Sequence, residues 1–371
     1  MNRFSAYYLC SLLLATGMEV FAEQSSGSGL EFSGKLMLDW SSFDGIHSNQ
    51  ERTESLFFRR ADIKAKFGLS ESASGRVQLA YDKRQDQLEV RDWQFRLSSN
   101  DGGLWKVGKF KEPFGLERST GATSLISAER SMATQAFTPS RNFGVAVMKF
   151  KKRYSWQVGV FDNSKDFKHF ALSSRVTRNS NRLVEDSKLH LGLNLSFRSL
   201  DEKEKFRVNE PVAVYLADSV IESKKINAES EQLYGVEAAF AKGNWLWQSE
   251  YFWRRLDGFR DNTSVAQEHS GGYTQLSLNL FGSGYAYKNG NFRLRREVSN
   301  KPLLLYLKGS SVDVLDDTKG VKAYNLLLGA KWHLDKQWAG LIEIGRAYLL
   351  QHDSEQYRSG NALTVRLFYK H

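Results

Sequence analysis

Arg59 and Arg60, then Lys109, Lys111, Arg118 and Arg130, gather in two stretches of the chain, with Glu129 beside the last of them. Guanidinium and ammonium groups that cluster without a nucleophile or base attract and guide anions; they do not break bonds. Catalytic signatures are missing: there is no H-E-x-x-H, no G-x-S-x-G and no phosphate-cradling P-loop. The seven histidines are scattered, and His47 and His169 lack neighbours at metal-ligand spacing. No cofactor and no metal are implied, and an enzyme is the weaker reading. No nucleic-acid motif accompanies the positive charge.

Lys109, Lys111, Arg118, Glu129 and Arg130 all lie within Leu104–Arg141. That stretch opens as an alternating strand, Leu104-Trp105-Lys106-Val107-Gly108-Lys109-Phe110, and then loses any regular pattern as far as Arg141. Pro113 and Gly115, on either side of Phe114, are turn formers that redirect the chain. Lys111, Arg118, Arg130 and Arg141 nearly balance Glu112, Glu117 and Glu129. Glu129-Arg130 reads either as a charge pair tying the stretch to a facing wall or as plain solvated charge. The whole reads as a loop folded into a pore, with an ordinary surface loop as the alternative.

Such a loop needs a wall, and the period of two along the rest of the chain supplies one. In Lys188–Arg198, Leu189, Leu191, Leu193, Leu195 and Phe197 share one face, while Lys188, His190, Asn194, Ser196 and Arg198 share the other. A helix would mix those sets. Sixteen such runs, from 31–40 to 361–370, predict a closed all-β barrel of antiparallel strands. In this reading 188–198 is the eighth strand, 206–218 the ninth, 162–187 and 257–271 are outer loops, and Tyr285–Val298 is an extended turn. Mean hydropathy is −0.48, which excludes a helical bundle in the membrane but not a barrel, whose strands alternate lipid-facing and lumen-facing side chains. Aromatics at 13%, nine of them Trp, suit the two membrane interfaces.

If the apolar faces meet lipid, the lumen receives Arg60, Lys64, Lys66, Arg76, Arg96, Lys106, Lys188, Arg198, Arg254, Lys331 and Arg366. Asp62, Asp82, Asp92, Glu237, Glu250 and Glu343 oppose them. The excess predicts a weak to moderate anion preference; the alternative is that these charges pair across strands and merely keep the interior wet. The phase of their strands turns Arg59 and Lys109 outward unless they stand at the rim.

The start of the chain fits export. Arg3 precedes an apolar run from Ala6 to Ala15, and Val20-Phe21-Ala22 matches a small-residue cleavage site, so residues 1–22 read as a signal peptide. Residues 23–30 form a short polar spacer and 31–371 the barrel. The only cysteine, Cys10, lies in the leader, and the remainder keeps the net charge of +10 because Arg3 and Glu19 leave together.

Gly108-Lys109-Phe110-Lys111-Glu112-Pro113-Phe114-Gly115-Leu116-Glu117, followed by Glu129-Arg130-Ser131, resembles the constriction-loop signature of the phosphate-selective porin O and P family. Phe57-Phe58-Arg59-Arg60-Ala61 is similar to the start of that family's second strand, and Gly329-Ala330-Lys331-Trp332-His333-Leu334 to a late one. The resemblance implies a sixteen-stranded outer-membrane barrel, a homotrimer, with the third outer loop folded inward. Its expected partners are outer-membrane lipid and small anionic solutes, phosphate among them. A structural or adhesive barrel with an occluded pore is the competing function.

Overall fold

The computed structural model describes residues 29–46, 53–164, 166–180, 186–295, 301–316, 319–352 and 357–371. The expected signal peptide 1–22 with Cys10, the spacer up to residue 28, and His47 lie outside the described residues.

Sixteen long strands alternate an exposed apolar face with a buried polar one: β1 Leu30–Phe43, β2 Thr53–Gly68, β3 Ala73–Asp82, β4 Gln87–Ser98, β5 Gly103–Lys111, β6 Arg141–Phe150, β7 Tyr154–Asp162, β8 Phe170–Ser180, β9 Ser187–Ser199, β10 Ile226–Lys242, β11 Trp245–Arg260, β12 Thr263–Asn279, β13 Leu303–Asp313, β14 Val321–His333, β15 Trp338–Gln351 and β16 Arg358–Lys370. Each pairs antiparallel with its sequence neighbours, and β1 also pairs with β16 from Lys35↔Lys370 to Phe43↔Ala362, which closes the barrel. Closure leaves no open strand edge, the condition for a sheet to cross lipid. In β9, Leu191, Leu193, Leu195 and Phe197 are exposed while His190, Asn194, Ser196 and Arg198 are buried, so the apolar set faces outward.

The strand total agrees with the sequence, but two memberships change. The segment 206–218 is not a barrel strand; it belongs to the connection 200–225, where only Lys205–Phe206 adds a short pairing to β10. Its alternating Val208, Val212 and Val214 pack instead on Phe114, Met132 and Phe137 of segment 112–140. Pro211, which has no N–H for a ladder, stands in the middle of that run. The missing strand is β8, inside the stretch 162–187 expected as a loop; its outward face carries Ser174 and Arg178 among the apolar residues, which blurs the pattern. The expected loop 257–271 is a two-residue turn, Asp261-Asn262, with both φ values positive (48° and 64°), the geometry that tight hairpins require. The described part of the expected turn Tyr285–Val298 lies outside the barrel wall: Tyr285–Lys288 pairs with Asn291–Leu294 in a separate hairpin between β12 and β13.

Two bulges alter the inner face. Met37 of β1 faces Arg60 but Leu38 faces Phe58, so Arg59 is an extra residue in β2. Gln78 faces Asp92 but Leu79 faces Val90, which makes Arg91 the extra residue of β4. A bulge sets two residues against one and re-aims a side chain. Arg59 and Arg60 are both buried, and the outward orientation expected for Arg59 is corrected.

Gly329 serves the packing of three strands. Tyr306 of β13 reaches past it to donate to Glu343 Oε2 of β15 at 2.7 Å. A Cβ at residue 329 would stand 2.3 Å from the Tyr306 ring. Gly329→Ala is therefore expected to displace Tyr306 and lower stability by about 1–3 kcal/mol. Urea unfolding of the lipid-reconstituted protein measures this, and an unchanged midpoint would mean that Tyr306 has room to yield.

Candidate functional site

The segment 112–140 carries a short helix α1 (Leu116–Ser119), a 3-10 turn (Ala122–Ser124) and a helix α2 (Met132–Phe137) capped by Ser131. Its course is set by inner-face side chains taken in strand order. Glu112 accepts from Arg198 of β9 at 2.9 Å and from Ser173 of β8 at 2.5 Å. Gly115 N–H donates to Asn194 of β9, and the N–H groups of Leu116 and Glu117 donate to the Glu250 carboxylate of β11 at 2.6 and 2.7 Å. That carboxylate meets the exposed donors at the start of α1. Glu117 then pairs with Lys308 of β13 at 2.6 Å. Lys331 of β14 donates to the carbonyls of Thr123 and Leu125, Glu343 of β15 accepts from Ala128 N–H, and Arg366 of β16 donates to Ala128 O. Glu129 ends the arc, held by Arg366 and, through two bonds of 2.8 and 2.9 Å, by Arg59 of β2.

This arc leaves the inner faces of β3 to β6 uncovered. Between them and the segment lies a cavity of about 480 Å³, lined by thirteen Lys and Arg side chains against three carboxylates. Two of those carboxylates are already committed: Asp92 to Arg76 and Arg141, and Glu112 to Arg198. Lys35, Lys64 and Lys106 make no ion pair among the described residues. Arg118 and Arg130 are held by carbonyl and hydroxyl oxygens, Arg118 by Thr134 and Thr138 and Arg130 by Glu117 O and Thr120 O, so their charge is fixed in place without being cancelled. Burial, and after it the neighbouring Arg118, pull Arg130 down to about 9, which still leaves it cationic at neutral pH.

The sequence profile of the family Phosphate-selective porin O and P matches residues 31–371. The chain belongs to that family. It is similar to an uncharacterized protein of Caulobacter vibrioides, 29% identical over 219 residues that cover 54% of this chain and 43% of the relative. It is also similar to Porin O of Pseudomonas aeruginosa, 24% identical over 311 residues, 73% of this chain and 68% of that protein. The aligned part thus spans less than half of the Caulobacter relative. Among solved structures, an anion-selective porin from Comamonas acidovorans shares the fold at a TM-score of 0.60 and 10% identity, with 93% of this chain and 100% of that one covered. The chain is an outer-membrane porin.

Of the residues singled out in the sequence, this porin brings Arg60, Lys111, Arg118 and Arg130 to one cavity. Arg60 also pairs with Asp82 at 2.7 Å, and Lys111 donates to Arg118 O and Thr120 O. Arg59 and Glu129 form the anchor instead, with the Arg59 guanidinium also stacked on the Tyr215 ring. Lys109 is a correction: it faces Trp93 and Phe143, both exposed, and so lies on the outer side of β5. Sequence reasoning missed Arg91, hidden by its bulge, and set Arg175 among the charges of the expected outer loop 162–187, whereas it stands on the inner face of β8. It also missed Lys308, although the alternation of Leu303, Leu305 and Leu307 already placed that lysine inward.

Burial alone would raise the Glu129 carboxyl, but Arg59 and then Arg366 hold it far below its ordinary 4.5. A lowered carboxyl contributes in full above the unfolded value and loses that contribution only as pH falls through the folded one, so the anchor holds in mild acid. Glu129→Gln takes from Arg59 and Arg366 one of their two carboxylates, leaving them Asp82 and Asp39, and is expected to cost about 1–3 kcal/mol. The loss should appear as faster proteolysis within 112–140 and a lower unfolding midpoint; no change in either would show that the anchor does not hold the segment.

Proposed function

We propose that this porin passes small anions, phosphate among them, by diffusion through the cavity between segment 112–140 and β2 to β6. The segment acts as the inward-folded constriction loop, and the mature chain, freed of residues 1–22, works as a homotrimer in outer-membrane lipid. The observation that carries the reading is the one-sided charge of the cavity. A lumen bounded by low-dielectric walls concentrates the field of such charges and enriches counter-ions along it. The near-neutral sequence of the loop does not oppose this, because its carboxylates Glu112, Glu117 and Glu129 are spent on strand cations while Arg118 and Arg130 line the cavity.

A unit charge acts on an ion about 4 Å away with about 1 kcal/mol in water, which is roughly a fivefold change in relative permeability. Lys64→Gln and Lys106→Gln, on unpaired wall positions, should each lower the anion-to-cation permeability ratio by about that factor, more strongly at low salt. Reversal potentials under a KCl gradient in a planar bilayer give the ratio. A wild-type channel that prefers cations, or one that passes no current when folded, would sink the proposal.

A further inference from the structure

The hairpin Tyr285–Leu294 enters the barrel from the end at which β1 begins and β16 ends, since it joins the last residues of β12 to the first of β13. Its turn, Asn289-Gly290, has positive φ at both residues, 53° and 75°, so the two short strands reverse tightly. Four contacts fix it. Tyr285 shares a hydrogen bond with Ser277 of β12 at 2.8 Å, and Tyr287 one with His190 of β9 at 2.7 Å. Gly290 O accepts from Arg175 of β8 at 2.8 Å. Asn291 accepts from Ser119 of α1 at 2.7 Å, so the hairpin and the loop from the opposite end of the barrel touch.

Where they touch, two cavities meet. The basic cavity of about 480 Å³ and a second of about 530 Å³ beneath the loop share one border, made of Lys35, Lys64, Ser119, Gly121, Asn291 and Arg293. Lys35 and Lys64 come from β1 and β2, Ser119 and Gly121 from the loop, Asn291 and Arg293 from the hairpin. Arg293 is exposed there and, among the described residues, makes no ion pair. Of the carboxylates lining either cavity, Glu117, Asp92 and Glu112 are paired with Lys308, Arg141 and Arg198; Asp62 alone is not. The border thus carries three unpaired cations from two sides and no acid of its own.

We propose that the hairpin is the second half of the constriction and that Arg293 is a selectivity-determining residue, presenting to passing anions a positive charge opposite Lys35 and Lys64. The inference rests on the reading of the chain as an anion channel. Opening between the two cavities is then set by the hairpin as well as by the loop, and its sign of charge by a residue outside every motif noted in the sequence.

The test uses the full chain, purified folded and reconstituted in planar bilayers with KCl. Arg293→Glu should lower the anion-to-cation permeability ratio by about threefold to tenfold with little change in conductance, whereas Arg293→Lys should retain the ratio. Replacing residues 285–294 by a short Gly-Ser turn should raise single-channel conductance by about half or more and lower the ratio together with it. Heat-modified gel mobility equal to wild type confirms that each variant is a closed barrel; if the glutamate variant fails to fold, Arg293→Gln reads the same loss at smaller size. An anion-preferring wild type whose ratio and conductance survive both changes overturns this inference alone. A cation-preferring or silent wild type overturns the channel reading and this inference with it.

Discussion

Glu129 lies between two guanidinium groups, Arg59 of β2 and Arg366 of β16, and the course of segment 112–140 depends on that grip. A carboxylate taken from water costs several kcal/mol unless its charge and lone pairs are met, and here both guanidinium groups meet it, one of them through two parallel bonds. The second Arg366 partner, Asp39, holds that arginine in turn through bonds of 2.6 Å on both arms. Strand and loop are therefore locked across the barrel seam where β16 returns to β1. The segment leaves the wall after β5 and rejoins it as β6, and in between its contacts with β9, β11, β13, β14, β15, β16 and β2 follow in order because the strands themselves are in order.

That path sorts the charges. On the side the loop covers, acids and bases meet one another: Glu117 with Lys308, Glu231 with Arg254, Glu129 with Arg366. On the side it leaves open, the strands keep more cations than carboxylates can answer. A balanced loop thus produces an unbalanced cavity, since its acids are spent on strand cations while Arg118 and Arg130 face the cavity without a carboxylate partner. Counting charge along the sequence averages these two faces and conceals the separation, which arises only when the barrel closes.

The barrel itself was legible, because a period of two sustained over most of the chain leaves no helical alternative, and the strand total survived even where membership did not. The errors have specific causes. Segment 206–218 alternates because its valines pack on the loop's own phenylalanines, so a period of two reported a satellite cluster instead of a wall. Strand β8 was lost because Ser174 and Arg178 interrupt its lipid face. Bulges at Arg59 and Arg91 shift the phase by one residue, and no local signal distinguishes such a shift from a simple break in pattern. Lys109 entered the site because the motif contains it, although its own alternation with Trp105 and Val107 pointed it outward.

The three motifs that carry the resemblance to the family share a task. Gly108 has φ 118°, and a Cβ there would come within 2.2 Å of Trp93 O, so the approach to the loop demands glycine. Arg59 grips Glu129; Gly329 lets Tyr306 reach Glu343, which holds Ala128; and Lys331 binds two loop carbonyls. Each motif packs or anchors one loop, and packing tolerates few alternatives because neighbouring atoms fix both shape and charge. Residues that face only the open cavity, such as Lys35, Lys64 and Lys106, meet no such constraint. Most of the cavity's cations stand at positions the motifs do not contain, so in the proposed channel its charge is set largely outside them.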